Sequence, residues 1–254
     1  MRSRWKRWSR GRRRLAVAAA CVAVVVLAFV VGTAVAGPFF WYPCSLGDAA
    51  ANAQGQESVL LAHDGTRIGA LGASRTRIPV SFDQISPEMR KAIVAAEDRR
   101  FYRHGGVDWI GVLRALKSDV STASASQGGS TLTQQLVRNL YLGRQRTLTR
   151  KLTEACLAEQ LDRQWSKDRI LTAYLNTVYF GNGAYGVEQA SRIYFHHGAA
   201  TLKPAEAALL AGIPEDPSSY DPVAHPQAAK ARRNLVLQLL YQQGYLTESQ
   251  YVNS

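Results

Sequence analysis

The sequence predicts a mainly α-helical fold, and three observations carry that reading. Apolar residues recur at helical spacing through most of the chain after residue 86, capping hydroxyls or prolines stand where several of these runs begin, and only one pair of short runs reads as strand. With 254 residues, 46% of them hydrophobic, the chain can fill the core of one ordinary domain and carry an appendage.

The appendage comes first. Residues 1–14 contain Arg2, Arg4, Lys6, Arg7, Arg10, Arg12, Arg13 and Arg14 with no acidic residue, so they supply eight of the formal net charge of +12 and leave only +4 elsewhere. The remainder carries no basic stripe, and no nucleic-acid partner is expected. Residues 15–36 are an uncharged apolar run, and about 20 such residues suffice to cross a bilayer as a helix. This reads as a single transmembrane helix. The positive-inside rule keeps residues 1–14 in the cytoplasm and exports everything after Gly37, with Phe39, Phe40, Trp41 and Tyr42 as an aromatic belt at the outer interface. Ala34-Val35-Ala36 before Gly37 also fits a signal-peptidase site, although the apolar run is longer than a usual signal core. Both readings export the domain. Residues 37–57, small and polar from Pro43 onward, read as a linker. The three cysteines offer neither a disulfide framework nor metal spacing, and Cys156 is expected to be an ordinary buried thiol.

Residues 58–254 are the expected domain. Ser58 to Ala62 and Arg67 to Leu71 flank His63-Asp64-Gly65-Thr66 and predict a hairpin. Ser86-Pro87 opens a helix with Met89, Ile93 and Ala96 on one face, which delivers Glu97 near its end. A second helix starts at Asp108 and carries Trp109, Val112, Leu113 and Leu116, before the Ser/Ala/Gly stretch 121–129 reads as a loop. Further helices are predicted for Ser130 to Tyr141, Thr147 to Gln164, Ser166 to Tyr174 or a little beyond, Val187 to Tyr194, Pro204 to Ala211, and Ala228 to Gln243.

Four stretches are more polar than packing requires. A carboxylate at the helix end, Glu97, meets the unfavourable pole of the helix dipole, which raises its proton affinity and suits a general base. The plainer reading is a surface pair with Arg100, worth a few tenths of a kcal/mol (~0.3). Ser130, Thr131, Thr133, Gln134 and Gln135 follow two glycines, and such groups either contact sugar hydroxyls and phosphates or merely cap a helix. Arg138, Arg146, Arg150 and Lys151 approach Glu154, which makes either a surface ion network or a site for a pyrophosphate with a divalent metal.

In order, the blocks Glu-Asp-Arg-Arg-Phe-Tyr-Arg-His-Gly-Gly from Glu97, Gly-Gly-Ser-Thr-Leu-Thr-Gln-Gln-Leu-Val-Arg-Asn from Gly128, Arg-Lys-Leu-Thr-Glu from Arg150, Tyr174-Leu175-Asn176 running into Phe-Gly-Asn-Gly, and Leu-Ala-Gly-Ile-Pro with Tyr220-Asp221-Pro222 closely resemble the peptidoglycan glycosyltransferase family. That family comprises the glycosyltransferase domain of class A penicillin-binding proteins and the monofunctional enzymes. The resemblance implies a lysozyme-like helical domain with a small membrane-dipping lobe, for which Trp109, Ile110, Val112, Leu113 and Leu116 are candidates. It implies polymerisation of lipid II into β-1,4 glycan strands by inversion, on the outer face of the bacterial cytoplasmic membrane. It places the catalytic base at Glu97 and a second essential carboxylate at Glu154, beside which Mg²⁺ or Mn²⁺ is expected. Substrate contacts are implied at Phe101, His104, Arg114, Ser130, Thr131, Gln134, Gln135, Arg138, Asn139, Arg146, Arg150, Lys151 and Asn176. The position of Arg138 is usually lysine in the family, and a planar guanidinium is not equivalent to a compact ammonium. Partners implied are lipid II, the growing strand and the membrane, with other cell-wall synthesis or division proteins as candidates.

Two other classes compete. A lysozyme-like hydrolase would also use a glutamate but has no need of a basic pyrophosphate site. A non-catalytic glycan-binding module would tolerate loss of Glu97 and Glu154. The Ser-x-x-Lys and Lys-Thr-Gly signals of a transpeptidase do not occur, so the chain is expected to be monofunctional or a piece of a longer protein.

Overall fold

The structure is a computed structural model that describes residues 77–112, 130–142 and 147–254, with short stretches at 21–22, 26, 44–46, 58–61, 63–64 and 67–71. The chain divides into two compact units, Met1–Pro43 and Cys44–Ser254. Of the expected transmembrane segment only Cys21, Val22 and Val26 are described, all helical and exposed. Among the described residues no helix is long and apolar enough to cross a membrane. The expected loop at 121–129 lies outside the described residues, as do Leu113 and Leu116.

The second unit is mainly helical. It opens on an antiparallel hairpin of β1 (Ser58–Leu61) and β2 (Arg67–Leu71), pairing Ser58 with Leu71 and Val59 with Ala70. Eight helices have both ends among the described residues: α1 (Pro87–Glu97), α2 (Leu132–Tyr141), α3 (Leu148–Gln164), α4 (Lys167–Thr177), α5 (Val187–Phe195), α6 (Pro204–Gly212), α7 (Pro226–Gln242) and α8 (Glu248–Val252), and residues 109–112 are also helical. Their starts follow local chemistry. The Ser86, Thr131, Thr147 and Ser166 hydroxyls each accept a backbone N–H in the first turn of α1, α2, α3 and α4. Proline stands in the first turn of α1, α6 and α7, where its missing N–H costs nothing. The start of α7 at Pro226 is two residues earlier than the apolar pattern alone predicts, for this reason.

Apolar faces converge on one core that includes Met89, Ile93, Phe101, Leu132, Leu136, Leu157, Ile170, Tyr174, Phe180, Leu210 and Val236. Within it α1 packs on α6 and α7, and α2 packs on α3 and α4. These contacts bring the end of α1 beside α2, which is the arrangement the polar groups need.

One expectation is overturned. Cys44 and Cys156 are joined by a disulfide, with Cα atoms 6.5 Å apart, inside the range such bridges require. Gln160 of α3 secures the junction by donating to the Cys44 carbonyl at 2.9 Å. A bridge spanning 112 residues leaves no spacing pattern for sequence reading to find.

Candidate active site

Glu97 is the last residue of α1, and its Oε2 accepts a hydrogen bond from Gln135 Nε2 at 2.8 Å. Gln135 sits in the first turns of α2, and its own Oε1 accepts from the Tyr174 hydroxyl at 3.1 Å. The other carboxylate oxygen, Glu97 Oε1, is buried and has no hydrogen-bond partner. Burial pushes the proton affinity of Glu97 up, and the Gln135 hydrogen bond and the charges of Arg232 and Arg138 only partly oppose this, with Glu215 adding to the rise. Arg100 does not pair with Glu97 as the plainer sequence reading had it. It pairs instead with Asp108, which also accepts Gly111 N–H at 2.8 Å and so starts the helical turn at Trp109.

The rest of the first block brackets this carboxylate. Asp98 is buried, accepts the Leu132 N–H at 3.1 Å, and contacts His104 Nε2 at 2.7 Å. His104 Nδ1 meets the Gly105 carbonyl at 2.6 Å, so both ring nitrogens point at acceptors. Burial alone would lower the His104 pKa, but the Asp98 hydrogen bond and charge and the Gly105 carbonyl outweigh it, and the net shift is upward. Gly106 lies so close to α3 that a Cβ there would stand 2.2 Å from the Ala158 carbonyl carbon. Only glycine lets the loop touch that backbone, which fixes the block against α3.

The second carboxylate, Glu154, is fully buried on α3. Its Oε2 accepts from Arg150 Nη1 at 3.0 Å and its Oε1 from Lys151 Nζ at 2.7 Å, and the same ammonium reaches Ser130 Oγ at 2.9 Å. The Lys151 side chain remains 46% exposed, so one positive charge of this cluster still faces solvent. The pair is therefore not the ordinary surface network, because the acid is desolvated and its cations carry the compensation.

The remaining sequence-predicted residues divide by location. Thr131 and Gln134 are buried and satisfy each other in a reciprocal capping box, with Thr131 Oγ1 also donating to the Gly106 carbonyl at 2.6 Å. Phe101 is fully buried in the core beneath Lys167, whose Nζ stands 4.8 Å from the ring centroid. Asn176 spends both ends of its amide on Val80, donating to its carbonyl at 2.9 Å and accepting its N–H at 3.0 Å. Arg138 is half-buried on α2 and Asn139 is exposed. Arg114 and Arg146 lie outside the described residues. The structure thus brings Glu97, Gln135 and Arg138 to one place, built on the end of α1 and on α2, and Ser130, Arg150, Lys151 and Glu154 to another, built on α3 and the approach to α2. Phe101, His104, Thr131, Gln134 and Asn176 support that frame.

Two residues near Glu97 escape sequence reasoning. Arg232 of α7 pairs with Glu215 at 2.8 Å, and both act electrostatically on Glu97. Arg232 packs so tightly that a Cβ on Gly212 would come within 2.7 Å of its Cγ. The signal that points to it is an arginine on a helix whose neighbours are apolar, which is weak alone.

A family model described as Transglycosylase matches residues 64–241. Penicillin-binding protein 1A of Escherichia coli (strain K12) is 46% identical over 188 residues, which cover 74% of this chain and 22% of that protein. Penicillin-binding protein 1A of Aquifex aeolicus (strain VF5) is 45% identical over 187 residues, 74% of this chain and 26% of that one. Penicillin-binding protein 1F of Bacillus subtilis (strain 168) is 40% identical over 197 residues, 78% and 28% respectively. Among solved structures, Penicillin-Binding Protein 1A from Haemophilus influenzae matches 78% of this chain and 20% of its own, at 22% identity and a TM-score of 0.44. The chain belongs to the transglycosylase family of peptidoglycan glycosyltransferases. It spans between 22% and 28% of the length of these curated relatives.

Proposed function

We propose that the chain is a peptidoglycan glycosyltransferase that polymerises lipid II, a polyprenyl-pyrophosphate-linked disaccharide-peptide, into β-1,4 glycan strands with inversion. The observation that carries this reading is Glu97: one carboxylate oxygen is held by Gln135 and the other is buried without a partner. A base needs one oriented oxygen ready for a proton and a proton affinity lifted towards working pH, and burial supplies the second. Glu97 takes the proton of the acceptor sugar's 4-hydroxyl as that oxygen attacks the anomeric carbon of the growing strand. The carbon–oxygen bond to the polyprenyl pyrophosphate breaks, and the pyrophosphate departs as an anion that needs charge neutralisation rather than a proton. Lys151, Arg150 and Arg138 supply positive charge for it, with Arg114 and Arg146 in the same role by resemblance. By resemblance, Ser130, Gln135 and Asn139 take polar contacts to glycan within a lysozyme-like helical fold.

A divalent ion, Mg²⁺ or Mn²⁺, belongs to this proposal only in company with the substrate. Glu154 is the candidate ligand, but both its oxygens are engaged by Lys151 and Arg150. Among the described residues no cluster of three His, Cys, Asp or Glu side chains could hold a metal. Such ions commonly take one or two carboxylates from the protein and the rest from phosphates. Glu154 is fully buried and already engaged by both cations, so the protein side alone fits the ion poorly, and proton transfer and charge neutralisation rest on protein groups.

The domain organisation supports delivery from a membrane. In this reading residues 1–14 are a cytoplasmic segment, 15–36 a transmembrane helix, 37–57 a linker and 58–254 the catalytic domain, on the outer face of the cytoplasmic membrane. Trp109 and Ile110 are 50% and 60% exposed at the start of their helical turn, as a membrane-dipping lobe requires. A polyprenyl tail cannot leave the bilayer cheaply, since each buried CH₂ is worth about 0.8 kcal/mol.

The test is incubation of the purified chain with lipid II in detergent, followed by size analysis of the products. Long glycan that a muramidase digests is the expected result. Shortening of ready-made glycan strands without polymer formation would assign the site to a hydrolase instead.

A further inference from the structure

We propose that Tyr174 is a positioning residue for Glu97, acting through Gln135: its hydroxyl decides which end of the Gln135 amide faces the carboxylate. The inference deepens the reading of Glu97 as the base and rests on it. The three side chains come from three helices, α1, α2 and α4, and form one chain of hydrogen bonds. Tyr174 donates to Gln135 Oε1 at 3.1 Å, and Gln135 Nε2 donates to Glu97 Oε2 at 2.8 Å.

A glutamine amide has nearly the same shape in its two orientations but opposite polarity. An ionised carboxylate only accepts, so the reversed amide would set oxygen against oxygen at Glu97. Tyr174 makes that reversal costly from the other side. Its ring and hydroxyl are fully buried, so its proton has no water to turn to if Gln135 Oε1 is withdrawn. Burial and the Glu97 charge hold the Tyr174 proton well above its ordinary pKa, which keeps the hydroxyl a donor throughout. The consequence is geometric as well as electrostatic. Oε2 is fixed by the relay, which sets the plane of the carboxylate and so the direction of the buried, unpartnered Oε1.

Other groups acting on Glu97 are Arg138 of α2, Arg232 of α7 and Glu215 of the turn Ile213–Glu215, and Arg138 also acts on Tyr174, where it partly opposes the upward shift. Tyr174→Phe removes only the hydroxyl and keeps the ring in the core. The free amide then supports the ionised carboxylate less well, proton affinity at Glu97 rises, and the acid limb of kcat/KM moves to higher pH. On that limb the rate is expected to fall about fivefold, the factor one ordinary hydrogen bond contributes. The KM for the lipid-linked substrate should stay near wild type, because Tyr174 touches no substrate.

The experiment compares pH–rate profiles of wild type, Tyr174→Phe, Gln135→Met and the double variant, with melting temperatures and a carbon-detected NMR titration of Glu97. An alkaline shift of the acid limb and of the Glu97 titration in Tyr174→Phe, with no further shift when it is added to Gln135→Met, supports the relay. An unmoved limb with only a lower melting temperature reduces Tyr174 to a packing role and overturns it. Equal, additive shifts in the double variant also overturn it, since Tyr174 would then act by another route. Failure of the base reading is separate: Glu97→Gln would retain turnover, while the NMR titration of Glu97 would still respond to Tyr174→Phe.

Discussion

Replacing Cys44 and Cys156 together by serine opens a covalent loop of 112 residues and leaves the rest of the fold untouched. In the chain-entropy account, closing a loop of that length removes about 16 cal/mol/K from the unfolded ensemble, or about 4.8 kcal/mol at 25 °C. Residual compactness of the unfolded chain reduces this, so the expected loss is about 2–4 kcal/mol. For a domain near 200 residues each kcal/mol moves the melting temperature by roughly 2–4 °C, which gives a drop of about 4–16 °C. Differential scanning calorimetry of the double variant, and of wild type with and without reductant, reads it directly. Alkylation of denatured, unreduced protein should label Cys21 alone. Labelling of all three cysteines, or melting temperatures within a degree of one another, would refute the bridge as a stabilising staple. The bridge also fits the export that residues 1–36 predict, since disulfides persist outside the cytoplasm.

Other perturbations read the charges around the two carboxylates. Glu215→Gln frees Arg232 from its partner and should move the acid limb of activity to lower pH, whereas Arg232→Gln leaves Glu215 unopposed and should move it higher; shifts of the same sign would contradict the pairing. Glu154→Gln leaves Lys151 and Arg150 without a counter-charge and should destabilise by about 1–3 kcal/mol, below the 3–5 kcal/mol typical of a broken buried pair because Lys151 can turn to water. An unchanged urea midpoint would show that Glu154 is not the anchor of that cluster. Glu97 has a folded-state pKa raised above its ordinary 4.5, so the stability tied to it is complete below that pH and is lost as pH rises through the folded value. Glu97→Gln should therefore melt higher than wild type at neutral pH and lose that advantage in acid, and equal melting temperatures at both pH values would count against the buried carboxylate.

The helices were legible because their signals are local. Ser86-Pro87, Thr147 and Ser166 announce helix starts within three residues, and the hairpin is written in the turn between its strands. The polar blocks were legible for the same reason, as runs dense in carboxylate, hydroxyl and glycine. What stayed hidden is pairing over distance. Nothing near Cys44 points to Cys156, nothing near Glu215 points to Arg232, and Asp98 gives no local sign that it joins His104 to the first turn of α2. Asn176 and Phe101 show the complementary case, since block membership marks them while the structure spends one on Val80 and the other on the core.

The most direct measurement is lipid II polymerisation by Glu97→Gln beside wild type at matched fold and matched substrate binding. The substitution keeps volume and removes the basic oxygen, so turnover should fall by about 10²–10⁴-fold, the contribution of a positioned general base, with lipid II still bound. Turnover above about a tenth of wild type would contradict the assignment of Glu97 as the base.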